Sequence, residues 1–122
     1  MTRDESPVVH LELHTPNLPR ALGFYTTLLG WEAEAIRIGP ASYQALELGE
    51  RIEGGVVERE IDQAIWLPYA RVDDLVAATD RAREMGAHVA LEPREGPAGW
   101  RSVVTSPSAA AVALWQPKAG GR

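Results

Sequence analysis

Three titratable side chains recur at every second residue near the start of the chain: His10, Glu12 and His14. Val9, Leu11 and Leu13 stand between them, so polar and apolar residues alternate with the period of a half-buried strand. If His10 faces a pocket, Glu12 faces it too, with His14 towards the rim. An imidazole beside a carboxylate is a workable general base with an orienting partner. The same pair serves equally as a structural ion pair, and His10 alone could be a hydrogen-bonded core histidine. A buried Glu12 needs a partner or solvent, because an unpaired carboxylate is costly to take out of water. His10, Tyr69 and Arg71 are the candidates.

The elements that must position these groups are legible in order. Asn17 offers an N-cap and Pro19 sits in the first helical turn, where its missing N–H costs nothing. Leu18, Ala21, Leu22, Tyr25 and Leu29 follow at helical spacing, and Gly30 ends the helix as a left-handed cap. Trp31–Ile38 and Ser42–Leu48 read as strands around a Gly39-Pro40 turn. Gly54-Gly55-Val56-Val57 is a weaker strand whose glycines predict a bulge or a close backbone approach. Glu58–Gln63 is charged and reads as a link.

The same order then returns. Ile65–Val72 is a strand in which Pro68 predicts an edge position or a bulge. Asp73–Met85 is an Asp-capped helix, and His88–Leu91 a short strand. A Gly/Pro-rich loop runs from Glu92 to Trp100. Arg101–Thr105 and Ala111–Gln116 form two strands joined by Ser106-Pro107-Ser108, and the tail after Pro117 reads as disordered. Leu18 and Ala21 fall on Leu75 and Ala78 at an offset of 57, and Gly30 on Gly86 at 56. This internal repeat sets the expectation: an α+β domain of two βαβββ modules, about 8–60 and 64–117, forming a curved mixed sheet with two helices outside.

Composition narrows the function classes. The 122 residues carry a net charge of −5 and scattered basic residues, which argues against nucleic acid or an anionic membrane as partner. No cysteine is present, so disulfides, thiolate chemistry and cysteine ligation drop out, and a reducing cytoplasm fits. No apolar run approaches the ~20 residues of a membrane span, and MTRDESPVV lacks the core of a signal peptide. Phosphate-binding glycine loops, nucleophile elbows and dinucleotide fingerprints are missing as well.

PNLPRALGFYTTLLGW, WLPYARVDDLVAATDRAREMGAHV and SPSAAAVALWQP, set in two βαβββ units, resemble the vicinal oxygen chelate superfamily over about residues 8–117. That superfamily includes glyoxalase I, extradiol dioxygenases and bleomycin- and fosfomycin-resistance proteins. In metal-dependent members four positions line a central cup, two from each half. The resemblance carries them onto His10, Val56, Leu67 and Ala113, and one imidazole with three apolar neighbours cannot hold a divalent ion.

The expected cofactor is therefore none, with a divalent metal disfavoured. Strand parity predicts a cup with polar His10, Glu12 and Tyr69 against an apolar floor of Leu67, Ala113 and Trp115. Trp115 is the candidate to stack on a planar ligand, and Trp100 closes the Gly/Pro loop as a candidate lid. Trp31 is expected in the core, and Trp66 beneath a helix or at a subunit interface. Which face Tyr43, Ala45 and Glu47 share stays open.

Three functions compete. The first is a metal-free small-molecule binder of the bleomycin-resistance type, a cytoplasmic homodimer holding an aromatic or drug-like compound. The second is a lyase or isomerase using His10 and Glu12 as acid and base. The third is a dioxygenase-type metal enzyme with His10 and Glu12 among its ligands. A purely structural or interaction domain is the remaining alternative.

Overall fold

In the computed structural model, residues 6–38, 41–96 and 98–118 are described; the Gly39-Pro40 turn and the last four tail residues lie outside them. The first half runs β1 (Val8–Thr15), α1 (Leu18–Leu29), β2 (Ala33–Ile38), β3 (Ala41–Glu47) and β4 (Glu53–Glu58). The second runs β5 (Ile65–Arg71), α2 (Leu75–Glu84), β6 (His88–Glu95), β7 (Gly99–Thr105) and β8 (Ala111–Pro117). The architecture is α+β, a βαβββ order stated twice. Two compact units result, Val9–Leu67 and Pro68 onward, the second also taking in Pro7 and Val8. The boundary falls inside β5.

Helix α1 begins as its sequence dictates. The Asn17 side chain accepts a hydrogen bond from the Arg20 N–H at 3.1 Å, and Gly30 closes the helix at φ 70°. Leu18, Ala21, Leu22 and Tyr25 pack on a core of Leu13, Leu46 and Val56. Leu29, expected on that face, is 48% exposed, as are Phe24 and Leu28 still further. Trp31 joins the core, and Trp66 closes it, its indole N–H donating to the Tyr25 hydroxyl at 3.3 Å.

Within the first unit β1 pairs in parallel with β4, while β3 lies antiparallel to both β4 and β2. The paired glycines of β4 bring close approach rather than a bulge. A Cβ on Gly54 would sit 2.6 Å from the Leu48 side chain. Glu58 ends β4 instead of opening a linker, and the Arg59 N–H donates to the Thr15 carbonyl at 2.9 Å.

Within the second unit β5 and β8 run parallel from Tyr69 onward, one residue past Pro68, which has no N–H to give a ladder. β7 is antiparallel to both β8 and β6. Strand β6 continues to Glu95, so most of the expected Glu92–Trp100 loop is hairpin. Register shifts on both sides of Leu91 accommodate Pro93 within it. Asp74 caps α2 by accepting from the Ala77 N–H at 3.1 Å. Thr79 spends its hydroxyl proton on the Leu75 carbonyl, so the fully buried Ser102 must donate to Thr79 at 2.8 Å. That bond seats α2 on β7.

Candidate functional site

Period-2 alternation sends Leu13 into the α1 core and His10, Glu12 and His14 to the opposite face of β1. Their side chains meet there. His14 Nε2 lies 2.8 Å from Glu12 Oε1, and His10 Nε2 lies 3.4 Å from Oε2. The three side chains are 18%, 12% and 9% exposed in the order His10, Glu12, His14. His14 is thus buried rather than at a rim, and it holds the carboxylate more closely than His10 does.

The far end of the array is Arg59, whose Nη1 lies 2.7 Å from His14 Nδ1. A guanidinium can only donate, so Nδ1 accepts and the proton of His14 sits on Nε2, pointed at Glu12. Burial alone would raise the Glu12 pKa; hydrogen bonds from His14 and His10 outweigh it and hold the carboxyl well below the usual range. The order is Arg59, His14, Glu12, His10. Arg59 is the member that sequence reasoning misses, because in the sequence it reads as part of a charged link.

The same face carries Tyr43. A Cβ on Gly55 would meet the Tyr43 ring at 2.9 Å and His10 Nε2 at 3.5 Å, so Gly55 makes room for both. This settles which side of β3 bears Tyr43. Burial, then the charges of Glu12 and Glu53, push its phenol above the ordinary value. Val56 is corrected here: it sits in the α1 core, with 2% exposure, and the position beside Glu12 on this face is Gly55. The substitution of one for the other leaves the donor count unchanged, because glycine has no side chain to offer.

A resident metal would need three or more N or O donors, and His14 is not available as one. His14 donates through one ring nitrogen and accepts through the other, so no lone pair is left for a cation. Both oxygens of Glu12 are engaged. Among the described residues no group of three or more His, Asp or Glu side chains is arranged to hold an ion.

Leu67, the last residue of the first unit, is buried at 4% exposure. In the second unit Tyr69, Ala113 and Trp115 share one sheet face. Tyr69 pairs in register with Ala113, and its ring centroid lies 6.4 Å from that of Trp115. Arg101 Nη1 donates to the Tyr69 hydroxyl at 3.1 Å. Trp100 does not join them. It lies within β7, opposite Gln116, on the row that includes Ser102 and faces α2. Lys118 sits 6.0 Å over its ring.

Residues 8–113 match the family described as the Glyoxalase/Bleomycin resistance protein/Dioxygenase superfamily. The chain is 31% identical over 114 residues to "Putative glyoxylase CFP32" of Mycobacterium tuberculosis, a match spanning 87% of this chain and 44% of that protein. It is 27% identical over 123 residues to the anthracycline biosynthesis protein DnrV of Streptomyces peucetius, covering 86% of this chain and 45% of that one. The chain therefore spans under half the length of these curated relatives. In fold it is similar to methylmalonyl-CoA epimerase from Mycobacterium tuberculosis, with a TM-score of 0.67 at 16% identity, over 97% of this chain and 93% of that one. With the family matched across both βαβββ units, the chain belongs to the Glyoxalase/Bleomycin resistance protein/Dioxygenase superfamily.

Proposed function

We propose that this chain binds a small organic molecule, of aromatic or drug-like type, without a resident metal. The observation that carries the proposal is the mutual bonding of Arg59, His14, Glu12 and His10, in which both ring nitrogens of His14 are taken. The groups that would ligate a cation instead hold one another, which favours recognition through hydrogen bonds and apolar contact. Its relatives' names, a glyoxylase and anthracycline biosynthesis proteins, are compatible with a small organic ligand.

A second reading is favoured by the ionised, nearly buried Glu12. A fixed carboxylate beside His10 orients that imidazole, as a proton-transferring isomerase or lyase step requires. His10, the most exposed of the three, would take and return the proton, and His14 and Arg59 would keep Glu12 in place.

We place the protein in the cytoplasm as a homodimer. The missing cysteine supports the first, and the exposed Phe24, Leu28 and Leu29 of α1 support the second. No helix among the described residues is long and apolar enough to cross a membrane.

A thermal-shift screen of aromatic and drug-like compounds, with and without added Zn, Ni or Mn, tests the binding proposal. A ligand at about 100 times its Kd should stabilise the fold by about 2.7 kcal/mol, whether or not metal is present. Stabilisation that appears only with metal would contradict it. For the second reading, His10→Ala should abolish turnover of a bound substrate and leave its binding nearly unchanged.

A further inference from the structure

The sheet of the second unit segregates its charges by face. Glu92 is bonded to Arg83 of α2 at 2.7 Å, and Glu95 to Lys118 at 3.0 Å on the row of Trp100. Both carboxylates of β5–β8 thus lie on the α2 side. On the opposite face, register places Arg71, Trp115, Arg101 and Arg94 in one row across four strands. Among the described residues none of these three arginines takes part in a salt bridge.

Arg94 stands directly opposite Arg101. Like charges in that relation destabilise a sheet, and this chain is acidic overall, with ample carboxylates to spare. A local rule broken without compensation within the fold marks a place where something else supplies the compensation. Between the guanidiniums lies an aromatic surface. A Cβ on Gly99 would come within 2.9 Å of Cη2 and Cζ2 of Trp115, so the bare backbone there makes room for that edge of the half-buried indole, and the Tyr69 ring is tilted at 60° to it rather than stacked on it.

We infer that this face of the second unit is a binding site for a planar organic anion. The ring system stacks on Trp115, and the carboxylate or comparable acidic group is held by the Arg94–Arg101 pair, with Arg71 at the other end of the row. Guanidiniums suit this work because their planar fork matches a carboxylate and their charge cannot be titrated away. Arg101 is already oriented through its bond to the Tyr69 hydroxyl. The inference stands on the second unit alone. It rests on the reading of this chain as a binder of aromatic small molecules and names the ligand class; binding of neutral aromatic compounds with none of naphthoate would end the inference and leave that reading standing.

Calorimetric titration of the full chain with naphthoate, and with the neutral naphthamide as its match in shape, tests the inference. Naphthoate should bind and naphthamide should bind at least about tenfold more weakly, the loss expected for one charge-assisted hydrogen bond. The double variant R94Q/R101Q should lose at least that factor for naphthoate and little for naphthamide. R81Q, on α2, should change neither. Because a like-charge pair is removed, R94Q should raise the melting temperature of the ligand-free protein, a shift that a merely structural arginine would reverse. Equal affinity for acid and amide, unchanged affinity in the double variant, a lowered melting temperature for R94Q, or no naphthoate binding at millimolar concentration would each overturn it. Inorganic phosphate binding as tightly as naphthoate would overturn the planar part.

Discussion

Removing the Glu12 carboxylate should expose how much of the first unit's stability rests on one ionised group. Glu12→Ala takes the acceptor from the Nε2–H of His14, whose residue is 7% exposed, and from His10. An unsatisfied donor costs about 1–3 kcal/mol, and breaking a buried ionic arrangement by deleting one partner about 3–5. The Glu12 side chain is 12% exposed and His14 still keeps its bond from Arg59, so the lower end applies, about 3 kcal/mol. For a chain of this length that is a fall of about 12 °C in Tm. Glu12→Gln keeps an acceptor and loses only the charge, which should cost about 1 kcal/mol.

The pH dependence carries the sign. The folded pKa of Glu12 lies below its ordinary value of 4.5, so its stabilisation is complete above that value and drains away as pH falls towards the folded pKa. Urea unfolding at neutral pH and at about pH 3 should show wild type and Glu12→Gln converging on acidification. A Glu12→Ala variant within about 0.5 kcal/mol of wild type would refute the reasoning. So would a gap between wild type and Glu12→Gln that stays constant or widens in acid.

Two other perturbations test the packing that presents these groups. Gly54→Ala forces a Cβ to 2.6 Å from Leu48 and 3.0 Å from the Leu46 carbonyl, so it should destabilise by about 1–3 kcal/mol in chemical unfolding. Ala109 holds φ 70° in the β7–β8 turn, a left-handed conformation costly for alanine; Ala109→Gly should raise stability by about 0.5 kcal/mol.

Local signals in the sequence carried the fold a long way. Asn17, Pro19 and Gly30 mark the ends of α1, and Asp74 and Gly86 those of α2, because caps act on backbone groups within a few residues. The parity of β1 likewise joined His10 to Glu12 without any knowledge of tertiary contacts. What failed was information held between strands. Arg59 reads as part of a charged linker, and only the parallel register of β4 on β1 brings it to His14. The resemblance carries a cup position onto Val56, and a four-residue Gly-Gly-Val-Val run has no parity of its own to correct it; its facing is fixed by Leu13 and Leu46. Trp100 reads as a loop aromatic because Pro93 hides the continuation of β6, where a register shift absorbs the proline. Arg71, Arg94 and Arg101 are separated by up to 30 positions in sequence, and only the ladders put them in one row.

Elemental metal analysis of protein purified without chelator or affinity-tag metal tests the central claim most directly. The mutual bonding of Arg59, His14, Glu12 and His10 predicts transition-metal content far below one ion per chain. One stoichiometrically bound transition-metal ion per chain, lost on replacing His10 or Glu12, would contradict it and make those residues ligands rather than partners of one another.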